Sequence, residues 1–356
     1  MELNTISGLA IAGVICSVVL SMGVPIALFI AGRVKLKARI SSFFIGAGTY
    51  LLFAMLLEQL LHVLVIQFCG LNAQSRPWLY YVYAALAAAV FEETGRLIAM
   101  KFWMKKWLDF PNALMYGIGH GGVEAILLGG LSGISNLVSM LMINSGAMQN
   151  TLAALPAESA NQTVSQLSAL WTTPAPLFFV SGIERISAII LHIGLSLLIY
   201  RAVKAGKCRT AAFTAVLAYG IHFIVDFFAV AGPALLPIYV IEIGVFVMAA
   251  GTLVMALKMG NDGRTVNSSL STQPSENSVF SRLFACVILK PYVFSLVFAL
   301  MSENKGNFLL FAADYLIQQP CGSTLRFPCS VSVDIHCGTD ISVSEKLLHI
   351  LWGSPI

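Results

Sequence analysis

Charged residues are what this sequence has least of. Asp, Glu, Lys and Arg make up 11% of its 356 residues, against 58% hydrophobic, where an ordinary soluble domain carries about 25% charged. The shortage excludes a soluble globular chain, and no nucleic-acid partner is expected of it. Cysteine offers no framework either. Of seven, Cys16, Cys69 and Cys208 lie in or beside apolar runs without a common spacing, and Cys286, Cys321, Cys329 and Cys337 sit in the tail, so no disulfide pattern is legible. The start lacks the basic stretch and small-residue cleavage site of a secretory signal, so the first apolar run is expected to stay in the mature protein.

Long apolar runs are what the sequence does have, and a run of about 18 residues reads as a membrane-spanning helix. The spacing predicts an all-α, polytopic membrane helix bundle of about seven spans: Gly8–Ala31, Ser42–Phe68, Trp78–Met100, Ala113–Ile143, Pro176–Tyr200, Thr210–Val230 and Leu235–Leu257. The connecting loops alternate in charge. "RVKLKAR" (Arg33–Arg39), "KFWMKKW" (Lys101–Trp107), "RAVKAGKCR" (Arg201–Arg209) and "KMGNDGR" (Lys258–Arg264) are basic. The loop from Asn144 to Ala175 and "AGP" at Ala231–Pro233 hold no Lys or Arg, and "GLNAQSRP" holds only Arg76. Positive loops stay inside, which places the N-terminus outside and the end of the seventh span in the cytoplasm. The chain is expected to be integral to a bilayer, a bacterial cytoplasmic membrane.

Residues 1–260 form that bundle, and residues 261–356 read as a polar linker and tail. "NDGRTVNSSLSTQPSENS" is a flexible linker by composition. "FACVILKPYVFSLVFALM" (Phe284–Met301) is a weak eighth span, broken by Lys290-Pro291. The Cys and His residues beyond it fit no zinc spacing, and the tail is assigned no function.

Against this apolar background the ionisable residues inside the spans stand out, since each costs about 2.5–3.5 kcal/mol at the bilayer centre on the lenient scale. Glu92, Glu93 and Arg96 share the third span. Arg96 follows them by four and three residues, so it can pair with either acid, and the other is left without a partner. His120 and Glu124 lie four apart in the glycine-rich fourth span. The fifth carries Glu184, Arg185 and His192, the sixth His222 and Asp226, and the second Glu58 and His62. A lone histidine in a span is more often a packing group than a catalyst. Counted from the basic loops at 1.5 Å per residue, however, Glu92, His120 and His192 lie about 12–14 Å inward and His222 about 20 Å, so they can meet in one layer. Such a set of Glu, His and Asp can bind a metal or polarise water.

"FEETGR", "GIGHGGVEA", a histidine in the fifth span and "HFIVD", in that order over about residues 1–260, resemble the YhfC family of intramembrane peptidases, which is related to the PrsW proteases and the wider CPBP group of CAAX-processing and bacteriocin-immunity proteins. The resemblance implies a peptidase acting on a membrane-embedded or lipid-anchored peptide. In it Glu92, Glu93, Arg96, His120, Glu124, His192, His222 and Asp226 would be catalytic. It also implies that Glu92 and His120 activate water and that His222 holds the oxyanion. Two departures stand. Two residues separate the acid pair from Arg96, where the wider group commonly has three, so either Glu92 or Glu93 can be the base. Asp226 replaces the usual asparagine and, donating no hydrogen bond when ionised, suits orienting His222 or binding a metal. No His-Glu-x-x-His motif occurs. A zinc site on His120, His192 and His222 and a metal-free glutamate mechanism both stay open. A proton- or cation-coupled transporter and a non-catalytic immunity or scaffold protein are the other classes considered. The sequence lacks the inverted repeats typical of the first.

Overall fold

The computed structural model describes residues 3–206 and 209–259, together with the strand residues 324–326 and 332–334. The described residues of the first unit, up to residue 259, form helices joined by short turns. Six of its helices are long and apolar enough to cross a membrane: α1 (Gly8–Lys35), α2 (Ile40–Cys69), α4 (Phe110–Asn144), α8 (Ala175–Ala205), α9 (Arg209–Ala231) and α10 (Ile238–Lys258). The stretch expected as the third span is a helix, α3 (Pro77–Ile98), extended by a wide turn over Ala99–Trp103, but it is not among the six. Its tyrosines and the Glu92-Glu93-Arg96 group lower its hydropathy, which keeps it out of the six. The loop from Asn144 to Ala175, between α4 and α8, contains the short helices α5 (Ala147–Ala153), α6 (Ala157–Leu167) and α7 (Ala169–Thr172).

In a second unit, Thr324–Arg326 pairs antiparallel with Ser332–Asp334. The polar linker and the Phe284–Met301 stretch lie outside the described residues.

Local chemistry sets the helix ends. Ser7 caps α1 by accepting from the Ala10 N–H, and Asp109 caps α4 by accepting from the Asn112 N–H, with Pro111 in the first turn. Gly70, at φ 64°, closes α2 in the left-handed region that other residues avoid. Asn144 makes reciprocal bonds with the Ile6 backbone at 2.8 and 2.9 Å, tying the chain start to the end of α4.

Helix α8 is the centre of the bundle. Of its most apolar stretch 78% is buried, against 11–39% for the other five. Helices α1, α4, α9 and α10 all pack on it. Outer faces carry exposed apolar side chains such as Val19, Phe44, Val216 and Val247, the surface a bilayer would wet. Between helices, burial against lipid tails gains little, so close backbone approach does the packing. Gly119 of α4 faces Phe43 of α2 so closely that a Cβ there would sit 2.0 Å from the Phe43 carbonyl oxygen. Gly119→Ala is therefore expected to lower the thermal midpoint of the detergent-purified protein, with an overpacking cost of about 1–3 kcal/mol. Gly48→Ala, with open space around it, should leave the midpoint unchanged. Equal behaviour of the two would show that α2 and α4 do not meet this closely.

Three wide, π-type turns interrupt the long helices, at Phe53–Glu58, Ala99–Trp103 and Ala125–Leu131. One ends on Glu58 and another starts directly after Glu124, and such bulges often accompany functional residues.

Candidate active site

Four helices deliver the ionisable residues to one buried cluster: α3 with Glu92, Glu93 and Arg96, α4 with His120 and Glu124, α8 with His192, and α9 with His222 and Asp226. Glu92, Glu93, Arg96, His120, His192 and His222 are all buried. The ring centroids of His120 and His192 lie 4.8 Å apart, and those of His192 and His222 5.5 Å.

The adjacent glutamates divide their work. Glu93 is paired twice: Arg96 donates to its Oε1, and His222 Nδ1 lies 2.7 Å from the same oxygen. Glu92 has no arginine partner and turns to the histidines. His120 Nε2 lies 2.9 Å from its Oε2, His192 Nδ1 3.8 Å and His222 Nε2 3.9 Å. Arg96 Nη2 also donates to His192 Nδ1 at 2.9 Å, which puts the ring proton on Nε2, 2.6 Å from Glu124 Oε2. Asp226 Oδ2 sits 3.3 Å from His222 Nε2.

Pairing within one helix face, as the i,i+4 spacings suggest, accounts for only part of this. His222 does meet Asp226, but His120 turns to Glu92 and Glu124 turns to His192. Glu124 also accepts from Arg185 Nη1 at 3.2 Å, and Arg185 in turn holds Glu184. Glu58 and His62 form their own pair at 3.1 Å, extended by Tyr83 Oη at 2.8 Å from His62 Nδ1. Sequence reasoning passed over Tyr83, Tyr50, which meets His120 edge-on, and the buried Glu242 of α10. Glu242 carried a usable signal, a lone acid inside an apolar run; the tyrosines carried none.

Glu92, His192 and His222 each offer a ligand atom within 4.8 Å of the others, a grouping that could hold a metal ion. His120 joins it through Glu92. Two histidines and a glutamate are a donor set used by catalytic zinc. Charge balance agrees. Glu92, Glu93, Glu124, Glu184 and Asp226 face two guanidiniums, Arg96 and Arg185, so with every acid ionised three negative charges are in excess, and a divalent cation offsets two of them. The residues present therefore fit such an ion.

An apolar helix bundle wrapped around a buried carboxylate–histidine centre defines a membrane protein with a cluster of ionisable groups among its helices. The model of the YhfC intramembrane metalloprotease family matches residues 20–245, and the chain belongs to that family. Over 182 residues it is 42% identical to the "Uncharacterized membrane protein YhfC" of Bacillus subtilis (strain 168), covering 51% of this chain and 70% of that one. No solved structure matches it.

Proposed function

We propose that this protein is an intramembrane peptidase that hydrolyses a peptide bond of a membrane-embedded or lipid-anchored substrate. The observation that carries the reading is Glu92: a buried carboxylate whose contacts among the described residues are three histidines, while Arg96 is engaged by Glu93. The family's metalloprotease description supports it.

Glu92 and His120 together activate the attacking water. The Nε2–H of His120 donates to Glu92 Oε2 and holds that carboxylate in place. A proton leaving the water as its oxygen bonds the carbonyl carbon passes to the Glu92 carboxylate, and from it to the departing amine nitrogen as the C–N bond breaks. His222 is held by Glu93 at Nδ1, so its Nε2 is the atom turned towards Glu92 and the reacting centre. Protonated, that nitrogen is a donor for the oxyanion; deprotonated, it is a ligand lone pair. Arg96 fixes both Glu93 and the His192 tautomer.

Glu92, His192 and His222 would hold a divalent ion, with zinc best suited to the donors, and such an ion when bound makes water more nucleophilic and polarises a carbonyl.

Loop charge supports an orientation in a bacterial cytoplasmic membrane with the N-terminus outside. The cluster then lies nearer the basic, cytoplasmic ends of the helices. A transport role has less support: the ionisable residues gather at one level of the bundle instead of lining a path from end to end.

The test is cleavage of a membrane-peptide library by the purified protein in proteoliposomes, read by mass spectrometry, beside a His192→Ala preparation. Products from the native protein alone are expected. Equal products from both preparations, or none from either, would remove the peptidase reading.

A further inference from the structure

Hydrolysis needs water, and the cluster is buried. The carboxylate, arginine and histidine side chains that extend it become exposed in one direction, whereas on the basic side the Thr94–Tyr219 hydroxyl pair is half-buried. From His192 the chain of contacts runs to Glu124, whose side chain is 12% exposed, to Arg185 at 13% and to Glu184 at 40%. Asp226, beyond His222, is 27% exposed, and His62, beyond Glu58, 20%. Each of these residues lies on the side of the cluster nearer the α5–α7 end of the bundle: Glu184 after the start of α8 at Ala175, Asp226 before the end of α9 at Ala231, His62 before the end of α2 at Cys69. Towards the opposite, basic end, Met100, Met104, Leu114, Met115 and Tyr116 are 0% exposed. On that side these side chains beneath the cluster are buried, and so are the polar Ser196 and Thr214.

Depth makes the exposure of Glu184 informative. Helix α8 has 31 residues, about 46 Å, and overhangs a hydrocarbon layer of about 30 Å by roughly 8 Å at each end. Glu184 lies about 14 Å from Ala175 along the axis, hence some 6 Å below the lipid boundary. A carboxylate so exposed at that depth is tolerated where water reaches it, not where acyl chains do.

We infer that Glu124, Arg185 and Glu184 line the route by which water enters the site, and that the route opens on the face bearing α5–α7, away from the basic loops. Arg185 is the positioning residue of this route: its two branches hold Glu124 at the inner end and Glu184 at the mouth. The purpose of the route rests on the hydrolytic reading above, but its existence does not.

Single cysteines in a cysteine-free background of the full chain test it, with a membrane-impermeant maleimide applied to right-side-out and to inverted vesicles. Ala157→Cys, exposed in α6, marks the α5–α7 face and reports which side of the membrane it occupies. Glu184→Cys is expected to label from that same side. Ile243→Cys, 45% exposed but apolar and only about 8 Å from the start of α10, faces lipid and should stay unlabelled, as should the buried Met115→Cys. Should Glu184→Cys fail to accumulate, Ser181→Cys, exposed one turn nearer the mouth, takes its place with the same expectation. Absence of labelling at the folded mouth variant while Ala157→Cys reacts, or labelling from the opposite side, overturns the route. Labelling uses no substrate, so it can fail while cleavage is observed, and cleavage can fail while the route stands.

Discussion

Glu92→Gln is expected to reduce cleavage by about 10²–10⁴-fold, the range for losing a positioned acid–base group, while the protein still accumulates and unfolds near its normal temperature. Glu93→Gln is expected to strike stability first. The two acids are neighbours in sequence, and their partners decide the difference. Glu92 touches only neutralisable rings, so an amide of the same shape can still accept from His120 Nε2 at 2.9 Å. What disappears is the negative charge that draws a proton from water. Glu93 is wholly buried against Arg96, itself wholly buried. Removing its charge strands a guanidinium in an apolar interior, a change that costs about 3–5 kcal/mol in comparable pairs. It also loosens His222, which leans on the same oxygen. Cleavage in proteoliposomes and thermal unfolding in detergent, measured on both variants, separate the two effects. A stable, inactive Glu93→Gln beside an active Glu92→Gln would exchange the roles assigned here.

The bundle was legible in the sequence because membrane spans announce themselves. Each must satisfy its own backbone and bury no charge cheaply, so long apolar runs between basic loops mark the helices. The same rule sets the limit of the count. The helix with Glu92, Glu93 and Arg96 is long enough, but its polar content separates it from the six apolar helices. The cluster of the candidate site was legible as a set of residues, since ionisable groups at one depth of several spans are costly unless they meet. Their pairing was not. Spacing of four residues offers Glu124 to His120, yet His120 reaches Glu92 on another helix and Glu124 takes His192 and Arg185. Those choices depend on how α3, α4 and α8 turn about their axes, which close contacts such as Gly117 against Ile193 and Gly121 against His192 determine. Periodicity along one chain segment carries no information on that rotation.

Zinc alone, added to metal-stripped protein, is expected to raise its thermal midpoint, and the rise should vanish in His192→Gln and in His222→Gln. Bonds of about 2.0–2.1 Å in a tetrahedral site put ligand atoms roughly 3.3 Å apart. Glu92 Oε2 stands 3.8 Å from His192 Nδ1 and 3.9 Å from His222 Nε2, so a contraction of a few tenths of an ångström brings them into range. One obstacle is built in. His192 Nδ1 already accepts from Arg96 at 2.9 Å, and one lone pair cannot serve a guanidinium and a metal together. For a metal to use that nitrogen, Arg96 must fall back on Glu93 alone, and zinc affinity carries the cost of breaking that contact. With zinc about a hundredfold above its Kd, binding to the native state alone adds about 2.7 kcal/mol. That stabilisation is read without any substrate, and chelation should reverse it together with cleavage. If the midpoint ignores zinc and cleavage survives chelation, the two histidines act as donors to the oxyanion and Glu92 works as a metal-free base, with the same residues in altered roles.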